Sequence, residues 1–241
     1  MRKFALIGGS GFYRWAVGEK IEVATPYGKA SVVISDLDNA KVAFLARHGG
    51  GHATPPHKVN YRANIFALNK LGYKNVISTS AAGIIREYKP GDLILVRDFI
   101  GFHMGSITFF DTFASEIKHI DMTEPYSDEL NSLLIKAAKF EKIRLRDNGI
   151  VIATFGPRFE TKSEINAFKK LGANIVSMSN VYEAILANEL GMNYATVAIG
   201  TNYAAGISKR RLDIREVFEM MKRKNEELKK LFKRTILLSR A

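Results

Sequence analysis

Short apolar runs alternate with helical patterns along the whole chain, and this alternation constrains the fold more than any other feature. The runs are "KFALIG" (3–8), "ASVVIS" (30–35), "KVAFLA" (41–46), "NVISTS" (75–80), "DLILVRDFI" (92–100), "GIVIATF" (149–155), "NIVSMS" (174–179) and "YATVAIG" (194–200). Helical patterns fall between several of them. "VNYRANIFALNKLG" (59–72) spaces its apolar residues three and four apart and ends at Gly72. "SDELNSLLIKAAKFEK" (127–142) starts on a Ser127 or Asp128 cap, and "TKSEINAFKKLG" (161–172) carries a capping box from Thr161 to Glu164. "NVYEAILANELG" (180–191) reads the same way, with Asn180 and Glu183. The stretch 213–240 is one long amphipathic helix. Strands alternating with helices imply an α/β fold whose central sheet is largely parallel and flanked by helices. "GDLILVRDFIGF" can add antiparallel or barrel-like pieces, making the sheet mixed. The 241 residues suit one domain spanning 1–241, since no repeat or linker divides them.

Composition excludes several classes. No segment approaches 18 uninterrupted apolar residues, so no membrane helix is expected. The first apolar stretch, Phe4 to Ile7, is too short for a signal-peptide core. The chain has no cysteine, which removes disulfides and thiolate metal sites and fits a cytoplasmic enzyme. A net charge of +12 suits an anionic partner. Much of that excess lies in "KRR" (209–211) and in the last helix, where mixed charges at i,i+4 spacing describe a solvated face. Basic residues are not interleaved with aromatics as a nucleic-acid stacking platform would need, so no nucleic-acid partner is expected.

In open α/β sheets, ligands bind beyond the carboxyl ends of strands. The segments to examine are therefore 8–12, 47–57, 80–83, 155–160, 178–180 and 201–206, all rich in Gly, Ser, Thr or functional polar groups. "GGSGF" (8–12) can turn backbone N–H groups and Ser10 toward an anion, or be a plain strand-to-helix turn. "ARHGGGHATPPH" (46–57) offers Arg47, whose planar fork suits phosphate, and His48 beside it. His48, His52 and His57 lack a nearby Asp, Glu or Cys, so no metal site is expected there. "TSAAG" (79–83) combines Ser80 with small residues that allow close backbone approach. In "TFGPRFET" (154–161), Phe159 can stack on a heterocycle whose N–H edge Glu160 would hydrogen-bond, or Glu160 simply favours a helix N-terminus. "SMSN" (177–180) adds Met178, as apolar surface or core, and the hydroxyl of Ser179.

Together these motifs resemble the trimeric purine nucleoside phosphorylases and their methylthioadenosine phosphorylase relatives. The resemblance runs in order through "GGSGF", "TPYGKAS", "ARHGGGH", "HKVNYRANI", "STSAAGIIRE", "KPGDLILVRDFI", "HIDMTEPY", "GPRFETKSEI", "GANIVSMSNVYEAILANELGM" and "TNYAAG". "ARHG", "KVNYRANI" and "GPRFET" are the most specific. The resemblance implies a phosphorylase fold, a homotrimer or dimer of trimers, no metal and no cofactor, with inorganic phosphate as co-substrate. It implies phosphorolysis of a purine nucleoside to free base and sugar 1-phosphate. It also implies that Ser10, Arg47, His48, Ser80, Ala81 and Ser179 hold phosphate, that Met178 lies against the ribose, and that Phe159, Glu160 and Asn202 surround the base. His119, in "HIDMTEP", would reach into a neighbouring subunit's site. The chain departs from its relatives in "SNVYE", where Asn180 and Tyr182 stand in place of Thr and Pro and bear on how that helix begins.

Adenine-specific relatives carry Asp where this chain has Asn202 and a second Asp where it has Ala204. A 6-oxopurine presents a carbonyl at C6 and an N–H at N1. An amide can donate to O6 and accept from N7–H, while a carboxylate accepts from N1–H. Facing an aminopurine, Glu160 would lack that donor at a cost of about 1–3 kcal/mol. Asn202 and Glu160 therefore favour hypoxanthine or guanine. Ile214, Val217 and Phe218, where relatives acting on inosine place a histidine, suit a 5′-methylthio group or simply pack the last helix. The expected substrate is 5′-methylthioinosine, with inosine and guanosine next. The competing readings are a methylthioadenosine phosphorylase that tolerates Asn202, a nucleosidase using water, and a nucleic-acid-binding protein.

Overall fold

The computed structural model describes residues 2–9, 17–37, 40–101, 105–112 and 117–240. Its strands are β1 (Phe4–Gly8), β2 (Glu19–Thr25), β3 (Gly28–Leu37), β4 (Ala40–Ala46), β5 (Asn75–Ile84), β6 (Leu93–Ile100), β7 (Leu145–Ala153), β8 (Ile175–Ser177) and β9 (Asn193–Tyr203). Its α-helices are α1 (Tyr61–Lys70), α2 (Asp128–Phe140), α3 (Lys162–Lys170), α4 (Asn180–Glu189) and α5 (Ile214–Leu238).

The strands form one mixed sheet in the order β2-β3-β4-β1-β5-β8-β7-β6-β9. β9 also pairs in parallel with β5 along nearly its whole length, from Asn75↔Asn193 to Ile84↔Tyr203. That second pairing closes β5, β8, β7, β6 and β9 into a ring, the barrel-like piece that the run at 91–102 suggested. β6 joins it antiparallel to β9 and parallel to β7. The sheet is therefore less parallel than the alternation of elements implies, because the short β8 also runs antiparallel to β5.

β9 is buried on both faces from Tyr194 to Thr201, as a continuous apolar run in a covered sheet should be. α1 and α4 cover one face of the sheet, with Ile65, Leu68, Val181 and Leu186 in one apolar core. α2 and α5 cover the other face, with Leu130, Leu134, Leu231 and Phe232 in a second core. Each such side chain contributes about 1.5–3 kcal/mol on full burial. α5 buries Val217, Met221, Leu228, Leu231, Phe232 and Ile236, a stripe of helical spacing, and turns its lysines outward. Asp213 caps its first turn, accepting from the Arg215 N–H. A smaller core under α3 joins Ile165 and Phe168 to Ile85, Val176 and Ala204.

β2 carries no clear strand signal, since "EKIEVAT" buries only Val23. It forms as the outer arm of a hairpin with β3, turned through Gly28 at φ +116°. Residues 80–83 and 201–203 lie inside β5 and β9 rather than in loops after them, because the ring extends both strands. No helix among the described residues is long and apolar enough to cross a membrane.

Candidate active site

One cavity collects almost all of the residues singled out from sequence. Its walls include Arg47, His48, Ser80, Ala81, Phe159, Glu160, Met178, Ser179, Asn202, Ile214 and Val217. Gly9, His52, Ala204, Leu212 and Phe218 line it as well. Ser10 lies outside the described residues. His119 does not reach the cavity of its own chain. It sits in a shallow depression with Phe110, Ile120, Met122 and Glu189.

β5 runs along the cavity like a ruler. Near Thr79, whose carbonyl accepts from Arg47 Nη1 at 2.9 Å, lies the cationic end. Four residues on, Gly83 pairs with Asn202 at the other end. At about 3.3 Å per residue these points are roughly 13 Å apart, enough for an anion and a nucleoside in line.

The cationic end is built around a buried ion pair. Arg47 Nε and Nη2 donate to Glu183 Oε1 and Oε2 at 2.6 and 2.8 Å, with both side chains almost wholly buried. The planar fork expected to grip an anion is thus turned to Glu183, which leaves the remaining N–H groups of Nη1 and Nη2 for any ligand. Glu183 also accepts from the Tyr194 hydroxyl at 2.7 Å, and that hydroxyl lies 2.7 Å from Ser78 Oγ. Ser78 in turn contacts Thr196 Oγ1 at 2.7 Å. Burial works against the charge of Arg47, but Glu183 overcomes it and holds the guanidinium above the ordinary arginine range.

Glu183 was expected to complete a capping box with Asn180. Instead Ser179 is the N-cap of α4 and makes no side-chain cap bond. Glu183 points into the core because Arg47 demands a counter-charge there. The Asn180 amide is fully buried without a hydrogen-bond partner among the described residues. Tyr182 stacks on Tyr61 of α1 at 4.9 Å and 12°, so the tyrosine in place of proline ties α4 to α1.

His48 completes this end. Its Nδ1 donates to the Thr54 carbonyl at 2.8 Å. Burial, and then the neighbouring Arg47 charge, lower its pKa to about 4, so the ring is neutral near pH 7. Nε2 is then the acceptor nitrogen. A Cβ at Gly9 would stand 3.4 Å from Arg47 Nη1 and 3.8 Å from His48 Nε2, so the glycine keeps the approach to both groups open. Ser80 Oγ is buried in the wall without a hydrogen-bond partner among the described residues. A cationic side chain, a neutral imidazole and an unengaged hydroxyl together suit a partly protonated oxyanion.

At the far end, Glu160 is buried and accepts from Thr154 Oγ1 at 2.8 Å. Burial raises its pKa despite that bond. Asn202 Oδ1 lies 2.7 Å from Thr201 Oγ1, and its Nδ2 donates to the Tyr203 carbonyl at 3.0 Å. These contacts leave one N–H and one lone pair of the amide. The strand end carrying Asn202 is brought against the segment carrying Glu160: a Cβ at Gly206 would collide with Lys162 of α3, two residues past Glu160. Ala204, buried beside Val176 and Gly83, keeps this end apolar apart from the amide and the acid.

The described chain matches the family model of the phosphorylase superfamily over residues 3–237, and it belongs to that family. Among curated proteins, it is 46% identical to the 6-oxopurine nucleoside phosphorylase of Pyrococcus furiosus, over 96% of this chain and 91% of that protein. It is 42% identical to the probable S-methyl-5′-thioinosine phosphorylase of Methanopyrus kandleri, over 98% of this chain and 92% of the relative. Among solved structures, it superposes on methylthioadenosine phosphorylase from Schistosoma mansoni in complex with adenine, with a TM-score of 0.91 at 30% identity, covering 99% of this chain and 91% of the other.

Proposed function

We propose that the protein catalyses phosphorolysis of 6-oxopurine nucleosides, 5′-methylthioinosine foremost and inosine and guanosine next, giving the free base and a ribose 1-phosphate. One observation carries the reading: a neutral amide, Asn202, and a buried acid, Glu160, line the same cavity as Arg47 and His48. The whole chain acts as one catalytic unit.

In this reading Arg47, His48, Ser80 and Ser179, with Ser10 and the backbone at Ala81, hold phosphate against the anomeric carbon. Arg47 supplies fixed charge, and the His48 Nε2 lone pair receives a phosphate O–H. Met178 covers the ribose and Phe159 covers the purine face. As the glycosidic bond breaks, positive charge grows on the sugar and negative charge on the purine. Phosphate stabilises the first and the free N–H of Asn202 stabilises the second at O6; N7 takes a proton from solvent as the base leaves, and the Asn202 oxygen accepts from the resulting N7–H. Glu160 accepts from N1–H. Catalysis is positioning and electrostatics without a covalent enzyme intermediate.

His119 belongs, in this reading, to the site of a neighbouring subunit in a homotrimer. Exposed Ile117 and Ile120 flank it, an apolar surface of the kind that partners cover. The second reading is a methylthioadenosine phosphorylase, favoured by the Schistosoma mansoni likeness. Purine release from methylthioinosine, inosine, guanosine and methylthioadenosine, assayed with and without phosphate, tests both. The proposal expects phosphate-dependent release of 6-oxopurines, and a drop of about 10²-fold or more in Asn202→Asp. Preference for the aminopurine, or unchanged inosine kinetics in that variant, refutes it.

A further inference from the structure

The end of the cavity beneath α5 is walled by the apolar side chains of Leu212, Ile214, Val217 and Phe218. A polar ring reaches that wall. The His52 ring centroid lies 5.6 Å from that of Phe218, edge to face at 90°. It also lies against His48, at 4.3 Å and 46°. His52 thus spans the gap between the cationic end of the cavity and the helix that closes it. In the phosphorylase reading, a ribose held between phosphate and base presents its 5′ end toward that gap.

The backbone holds His52 there at a cost. It sits at φ +62°, at the end of a turn in which Gly49 stands at +71° and Gly51 at +69°. The two glycines take such angles freely, whereas a side chain at this angle is strained and persists where its surroundings require it. Of the three positions in this turn with positive φ, two are glycine and the third carries an imidazole that lines the cavity.

We propose that His52 is a specificity-determining residue that hydrogen-bonds the 5′-hydroxyl of a nucleoside, so that the apolar wall and the imidazole together admit both 5′-methylthio and 5′-hydroxyl substrates. This rests on the phosphorylase reading above. Burial, followed by the Arg47 charge, lowers the His52 pKa, which keeps the ring neutral near pH 7. A neutral imidazole carries one donor and one acceptor nitrogen, and a single one of them suffices for a hydroxyl. A methylthio group has no such need and is satisfied by Ile214, Val217 and Phe218.

The test compares kcat/KM for inosine and 5′-methylthioinosine at saturating phosphate in the wild type, His52→Phe and His52→Gly. The readout is the ratio of the two substrates. It is expected to fall about three- to tenfold in both variants, through the KM of inosine, as for loss of one neutral hydrogen bond. 5′-Deoxyinosine, which lacks the hydroxyl, should keep its wild-type ratio to methylthioinosine. His52→Gly adopts the backbone angle without strain and keeps the test valid if His52→Phe does not fold. An unchanged ratio, or an equal fall for both substrates, overturns the role of His52. A wild type inactive on both nucleosides refutes the phosphorylase reading instead.

Discussion

The two sides of the cavity, one around Arg47 and one beneath α5, are built on opposite plans. At the cationic end, Arg47, Glu183 and Tyr194 are each 2% exposed or less and are joined by a chain of hydrogen bonds. At the α5 end, Ile214 and Phe218 remain 49% and 39% exposed and rest on packing alone. The difference teaches where rigidity is needed. A buried charge must be paired and hydrogen-bonded, and the same network that satisfies Arg47 fixes its direction. An apolar wall has no such demand, so it can change composition and substrate at little structural cost.

The largest expected effect breaks the rigid end. Glu183→Ala strands the Arg47 charge and should lower stability by about 3–5 kcal/mol, read as a fall in melting temperature. Glu183→Gln keeps the shape, and should raise the KM for phosphate more than the KM for nucleoside. Equal effects on both KM values would mean that Glu183 serves the fold and not the orientation of Arg47.

A smaller effect comes from pH. The folded pKa of His48, about 4, lies below the ordinary histidine value near 6.5. Between those values the unfolded chain binds a proton that the native ring resists. The contribution of His48 to stability is therefore complete at pH 7 and declines as pH falls toward 4, by on the order of 2–3 kcal/mol. Glu160, raised by burial, contributes with the opposite sign: its share is lost as pH rises through its folded pKa. Denaturant unfolding at pH 7 and 4.5 should show a shallower pH dependence in His48→Gln than in the wild type, with Glu160 common to both. Parallel curves would exclude the histidine as the source.

The smallest change sharpens the soft end. Ile214→Ser should alter stability by no more than about 0.5 kcal/mol, because the side chain is half exposed. It should still reduce turnover of methylthioinosine relative to inosine, by about three- to tenfold for the lost apolar contact. An unchanged preference would assign Ile214 to packing of α5 alone.

Much of this was legible along the chain, and the exceptions share a cause. β1, β4 and β9 announced themselves as buried apolar runs, and the Thr161–Glu164 capping box stands as spacing implied. β2 did not, because its residues are mostly exposed and it exists by pairing with β3. Arg47, His48, Glu160 and Asn202 were found from motif chemistry, and the fold brings them to one cavity. Glu183 was misread as a capping residue. Its spacing from Asn180 fits a cap, and nothing local reveals a buried arginine 136 positions away. His52 was weighed only as a metal ligand, since its contact with Phe218 joins two segments far apart in sequence.

By itself, the order of residues determined what is local: which stretches become strands or helices, where most helices begin, and which loops carry reactive groups. Periodicity, caps and backbone preferences act within a turn or two, so they can be read without knowing the fold. Only the tertiary structure decided that β5 pairs with β9 to close a ring, that Arg47 is locked by Glu183, and that an amide and an acid share one end of a single cavity. Those outcomes depend on burial and on charges meeting across the chain. Desolvation, which sets their energies, is a property of the assembled interior and of no segment alone.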